Sequence, residues 1–263
     1  MSIQKPSYEL SIDEILSQTF DLYGSRFAQF FLPFFVVGVG TGVFNAIVQW
    51  WYLMPIVEKI RSITPAIPTR EDILLLLPLL AAVIVVSVLL GIIAWVVNTV
   101  VNGTVVRFAS DTVEKGHASL RESLDITLSR LGSLLGVGIV SGILIILGLL
   151  LLIVPGVILA IMFSLVVPAI MIEQKGVFES LGRSRKLVSN RWGKTFILLL
   201  LVGIIILVVS GVAGALMAPF GLAGSIVSNL ITTLVMPILP IATTLLYYSM
   251  AARETRLPET VAR

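Results

Sequence analysis

The sequence predicts an all-α integral membrane protein of six transmembrane helices, with short amphipathic helices on the cytoplasmic surface. Three observations predict it. The mean hydropathy is +1.05. Only 13% of residues are charged, about half the share usual in soluble domains. Finally, four long tracts carry no Asp, Glu, Lys or Arg: Phe27 to Val57, Ile73 to Val106, Leu131 to Ile172 and Thr195 to Ala252.

These tracts are 31, 34, 42 and 58 residues long. About 20 apolar residues cross the hydrocarbon core as a helix, so the first two read as single spans and the last two as hairpins. The turns are expected at the helix breakers "VPG", Val154 to Gly156, and "APFG", Ala218 to Gly221. The spans then lie near 30–54, 75–104, 132–153, 156–172, 195–217 and 225–250. The whole chain, 1–263, reads as one polytopic membrane domain, since no stretch has the polar surface of a water-facing domain. Glu9, Asp13, Glu14 and Asp21 precede the first greasy tract, which argues against a signal peptide and for a retained span.

An even number of spans places both termini on one side. That side holds fifteen of the Lys and Arg residues, whereas Lys59, Arg61 and Arg70 alone fall on the other. The positive-inside rule therefore predicts cytoplasmic termini and a cell-membrane location.

Amphipathic segments are expected near 11–25, 119–130 and 177–192. Ser11 with Glu14 and Ser119 with Glu122 have the spacing of capping boxes. With Glu14, Glu122 and Glu179 superimposed, Leu16, Leu124 and Leu181 coincide, as do Thr19, Thr127 and Ser184. Arg26 and Phe27 then fall on Arg191 and Trp192. This register suggests three units, each a surface helix followed by a hairpin, and convergent amphipathic composition is the alternative.

The third segment, "ESLGRSRKLVSNRWGK", concentrates Arg183, Arg185, Lys186, Arg191 and Lys194 against the single acid Glu179. These five are the candidate lipid head-group contacts. On a wheel of about 100° per residue, Phe178, Leu181, Val188 and Trp192 share an apolar arc opposite Arg183, Lys186 and Arg191, with Arg185 inside the arc and Leu187 off it. Two readings stand: a cluster that only fixes topology, and a helix that also contacts anionic head groups. An apolar face suited to a membrane argues against nucleic acid.

Cysteine is absent and His117 is the only histidine, so thiolate chemistry and paired-His metal sites are excluded. No catalytic residue, metal ligand or cofactor motif is assigned, and the chain reads as non-enzymatic. "GVGTG", Gly38 to Gly42, lies within a charge-free tract and reads as helix packing, as do other small residues spaced four apart. Asn45, Gln49, Asn98, Asn102 and Asn229 are the polar residues singled out within spans. They are read either as interhelical hydrogen-bonding groups or as the lining of an interior polar region.

From Leu152 the sequence runs "LIVPGVILAIMFSLVVPAIMIEQKGVFESLGRSRKLVSNRWGKTFILLL". With its Pro155–Gly156 turn, Pro168, Glu173, Ser184, Leu187 and Trp192, this stretch resembles the membrane domain associated with glycerophosphoryl diester phosphodiesterases. The resemblance covers Ser119 to Gly203 and implies a multi-span fold. The hydrolase of that family is a separate soluble barrel for which this chain has no room, so its activity does not transfer. The function expected is handling of lipids or amphiphiles, or scaffolding of a membrane partner protein or hydrolase, with membrane lipids as the principal partner. The alternative is a small transporter or permease-like protein for a solute.

Overall fold

The computed structural model describes residues 5–48, 51, 54–63 and 70–256. In a bilayer each backbone N–H and C=O must be satisfied within the protein, and a helix does this locally. The described elements are accordingly helical: α1 (Ile12–Ser25), α2 (Phe27–Val48), α3 (Met54–Ile63), α4 (Arg70–Lys115), α5 (Leu120–Ser129), α6 (Leu131–Leu151), α7 (Ile153–Met162), α8 (Val166–Glu173), α9 (Val177–Ser189), α10 (Trp192–Met217), α11 (Gly221–Val235) and α12 (Ile238–Arg256). Among the described residues, six helical stretches are long and apolar enough to cross a membrane: Phe27–Phe44, Leu76–Lys115, Leu131–Leu151, Ile153–Glu173, Trp192–Phe220 and Ala223–Glu254. Two compact units result, residues 36–98 and the remainder. The first comprises the end of α2, α3 and most of α4. The second comprises α1, the start of α2, the end of α4 and α5 to α12.

The helix starts differ from the simple capping expectation. Ser11 and Glu14 form a reciprocal box, with Ser11 N donating to Glu14 Oε2 at 2.7 Å and Glu14 N to Ser11 Oγ at 3.4 Å. Ser119 makes no side-chain cap bond; its carbonyl instead accepts the Ser123 hydroxyl at 2.9 Å. At α9 the N-cap is Gly176, which has no side chain to give, so only the Glu179 half of a box forms, at 3.3 Å.

The turn between α6 and α7 falls at Leu152, two residues before the expected "VPG". Pro155 is the third residue of α7, where no intrahelical N–H bond is required, so it does not break the helix. Gly156 serves a close approach instead, because a Cβ there would lie 2.4 Å from Leu149 Cγ, and one on Gly148 would lie 2.9 Å from Gly156 Cα. "APFG" does turn the chain, as a 3-10 turn over Ala218–Phe220 followed by Gly221 at φ 56°. The four-residue glycine spacings are poorer guides. A Cβ on Gly42, which lies in the 36–98 unit, or on Gly132 or Gly142 would meet nothing within 4 Å among the described residues.

Two of the membrane-length stretches are broken, and in each case a short helix supplies a hydrogen bond at the break. Between α7 and α8 the helix unwinds over Phe163–Leu165. Ser184 of α9 accepts from Leu165 N at 3.1 Å and donates to Met162 O at 2.6 Å. Between α11 and α12 the prolines Pro237 and Pro240 remove two N–H donors. There Tyr23 of α1 donates to Leu234 O at 2.7 Å. Thr19, Thr127 and Ser184 are all fully buried. A Cβ on Gly103 of α4 would lie 2.7 Å from Thr127 Cγ2. Thus α5 packs closely on α4, α9 on α8 and α1 on α12. The apolar core beneath α9 includes Val106, Leu134, Val137, Val166, Ile170, Met171 and Leu181.

Ser184→Ala should destabilise the protein by about 1–3 kcal/mol, the usual cost of leaving buried polar groups unmet. Thermal unfolding in detergent checks this, with Ser189→Ala, on the exposed face of α9, expected near wild type.

Candidate functional site

The second turn of α9 sets its orientation. Ser180, Leu181, Ser184, Leu187 and Val188 are buried, whereas Phe178 is 77% exposed and Gly182, Arg185 and Lys186 face outward. On the wheel drawn from hydropathy Phe178 shares the apolar arc and Leu187 falls off it, whereas within the protein Leu187 is buried and Phe178 is not. The cause is the pair of serines: Ser180 returns its hydroxyl to Val177 O at 2.7 Å and Ser184 serves the α7–α8 break. Both are therefore comfortable inside, and they draw the buried face around to Leu187. Trp192 stacks on Phe196, with ring centroids 5.6 Å apart, at the start of α10.

Four of the five candidate basic residues are engaged by carboxylates. Arg183 reaches Glu173 at 2.8 Å and Glu254 at 2.5 Å, and Lys186 shares Glu254 at 2.6 Å. Tyr247 also donates to Glu173, and Lys175 stands 3.4 Å from it. Arg191, Lys194 and Arg253 surround Glu9 at 2.8, 3.0 and 3.3 Å, and Lys194 donates to Leu10 O as well. Arg185 has no ion pair among the described residues. Burial alone would raise the Glu9 pKa, but hydrogen bonds from Lys194 and Arg191, reinforced by their charges, hold it below the ordinary range. Burial would lower that of Arg183, yet its bonds to Glu254, Tyr247 and Glu173 raise it, so this guanidinium stays charged.

A second pattern joins the helix junctions. Arg26, Arg130 and Arg191 each immediately precede a membrane-length helix, α2, α6 and α10. Arg26 donates to Gly116 O at 2.8 Å, just before α5. Arg130 donates to Gln174 Oε1 at 2.7 Å, just before α9. Arg191 pairs with Glu9, just before α1. Head-to-tail contacts thus run from the first short helix to the second, the second to the third, and the third back to the first.

Sequence reasoning overlooked an ion triad around a buried carboxylate. Asp111, 3% exposed, takes two bonds at 3.0 Å from Arg107 and one at 2.9 Å from Lys115. Arg107 continues to Met171 O at 3.0 Å. The i, i+4 spacing of Arg107, Asp111 and Lys115 was the available signal. Neighbouring Ser110 is hydrogen-bonded to Tyr248 at 2.7 Å. Of the amides, Asn98 is exposed on the 36–98 unit and donates to Ala94 O at 2.8 Å. Asn102 is half-buried and Asn229 is exposed. The side chains of Asn45 and Gln49, also in the 36–98 unit, lie outside the described residues. His117 bonds Lys115 O at 3.0 Å in an exposed loop. Among the described residues no group of His, Asp and Glu is placed to hold a metal ion.

A carboxylate with a lowered pKa stabilises the fold above its ordinary pKa of 4.5 and ceases to do so as pH falls through the lowered value. The melting-temperature gap between wild type and Glu9→Gln should therefore be constant above about pH 5 and close in stronger acid. A pH series of thermal melts in detergent measures it.

No curated protein and no solved structure matches this chain. A family model described as a domain of unknown function, DUF7847, matches residues 76–251. That match takes in most of α4, the triad around Asp111, all of α9 and most of α12, well over half of the sequence, and the chain belongs to the DUF7847 family.

Proposed function

We propose that this is a non-enzymatic, multi-pass protein of the cell membrane that handles lipids or other amphiphiles, with α9 lying against the head groups of the cytoplasmic leaflet. One observation carries the reading. A helix locked in place by its buried face presents Phe178, Arg185 and Lys186 outward, between the ends of two apolar helices of membrane length. Basic residues near an anionic surface contribute about 1 kcal/mol each, and an aromatic side chain suits the head-group boundary. The fifteen-to-three distribution of Lys and Arg supports cytoplasmic termini.

Three related units make up the chain in this reading: α1 with the α2–α4 hairpin, α5 with α6–α8, and α9 with α10–α12. The shared register of Thr19, Thr127 and Ser184, all fully buried, supports the repeat, as do the head-to-tail arginine contacts. The family resemblance noted from Ser119 to Gly203 adds a membrane-associated hydrolase as a further candidate partner.

The ion pairs determine which substitutions test lipid contact. Arg183→Gln would take one partner from Glu173 and one from Glu254, Arg191→Gln would take one from Glu9, and either would weaken the fold. Arg185→Gln combined with Lys186→Gln leaves the packing face untouched. It should lower retention of anionic phospholipid in native mass spectra several-fold, with a melting temperature close to wild type. Unchanged retention would reduce these charges to topological signals. Reporter fusions address orientation: a fusion after Arg263 should report the cytoplasm, and one within 58–72 the opposite side.

A further inference from the structure

Beside α9 lies a shallow groove, open along much of its surface and about 500 Å³ in volume, lined by Glu173, Lys175, Glu179, Gly182, Arg183 and Lys186. Its size falls within the range of small-ligand clefts, about 300–1,000 Å³. The walls are not electrostatically equivalent. Arg183 is clasped between Glu173 and Glu254. Lys186, its side chain 71% exposed, shares Glu254 with that guanidinium. Lys175 stands 3.4 Å from Glu173, which also serves Arg183 and Tyr247. Each ammonium has three donors and therefore retains capacity for an anion. Glu179 has no basic partner among the described residues and uses one oxygen, at 3.3 Å, on Gly176 N–H.

Gly182 adds a separate indication. It sits mid-helix in α9, where glycine costs about 1 kcal/mol relative to alanine. A Cβ there would meet nothing within 4 Å, so internal packing does not call for its absence. The missing side chain leaves the groove wall bare, as close approach by an outside group requires.

We infer that this groove receives the phosphoethanolamine head group of a glycerophospholipid. The phosphate lies between Lys175 and Lys186, the primary ammonium donates to Glu179, and the bare backbone at Gly182 admits the group. Phe178, one residue before Glu179 and exposed, offers apolar surface to the adjoining chains. A trimethylammonium head group has no N–H to give Glu179, so phosphatidylcholine of the same acyl composition binds less well. The inference rests on the proposed contact of α9 with lipid head groups and adds selectivity to it.

Native mass spectrometry of the full chain, titrated with equimolar phosphatidylethanolamine and phosphatidylcholine of identical chains, tests this. Wild type should retain the former several-fold over the latter. Glu179→Gln preserves the capping interaction, which glutamine also makes, and should bring the ratio close to one. Gly182→Leu should lower retention of both lipids, with melting temperature confirming the fold. A ratio near one in wild type, an unchanged ratio in Glu179→Gln, or normal retention in Gly182→Leu overturns the groove assignment. If the double substitution of Arg185 and Lys186 still lowers anionic-lipid retention in that case, the broader lipid reading survives. If no phospholipid is retained at all, both fail. Soluble glycerophosphoethanolamine should compete only in large excess; displacement at concentrations comparable to the lipid would overturn the lipid as source and assign the groove to a free phosphodiester.

Discussion

An interrupted apolar helix must find partners for its freed backbone groups inside the protein, because hydrocarbon offers none. This constraint organises the part of the chain that holds α9. The α7–α8 break uses the Ser184 hydroxyl as both acceptor and donor, and the phenol of Tyr23 serves a carbonyl beside the α11–α12 break. The short helices that carry these groups are thereby part of the fold. For α9, fixing the buried face also fixes what the opposite face presents.

The basic residues divide according to the same logic. Arg183, Arg191 and Lys194 hold elements together through Glu173, Glu254 and Glu9, and Arg107 does so through Asp111. Arg185 is the charge the fold spares, and Lys186, though paired with Glu254, keeps most of its side chain exposed. A dense run of arginine and lysine is thus two populations interleaved in one segment, separated by how firmly carboxylates from distant segments hold each cation. Glu9 and Glu254 lie more than sixty residues from the cations they serve, so local sequence cannot assign the pairs.

The broad architecture was legible because it follows from length and hydropathy: four uncharged tracts, each long enough for one or two crossings, correspond to six apolar helical stretches. The "APFG" turn was legible because glycine at positive φ ends a helix cleanly. "VPG" misled because proline disrupts a helix interior but is accepted in a first turn. The face of α9 was misjudged because serine counts as polar on a hydropathy scale, although its hydroxyl can be satisfied internally. The groove was not legible at all, since Lys175 and Lys186 come together only through the turn from α8 into α9.

The contact between α1 and α12 bears on the order of folding. Leu10 N donates to Ser249 Oγ at 2.8 Å, Glu9 binds Arg253, and α1 packs on α12. The principal docking surface of α1 therefore lies on a helix more than two hundred residues further along the chain. Until α12 is in place, the Ile15 and Leu22 face of α1 lacks its main protein cover. Docking of α12 is thus the long-range step that secures an early surface helix.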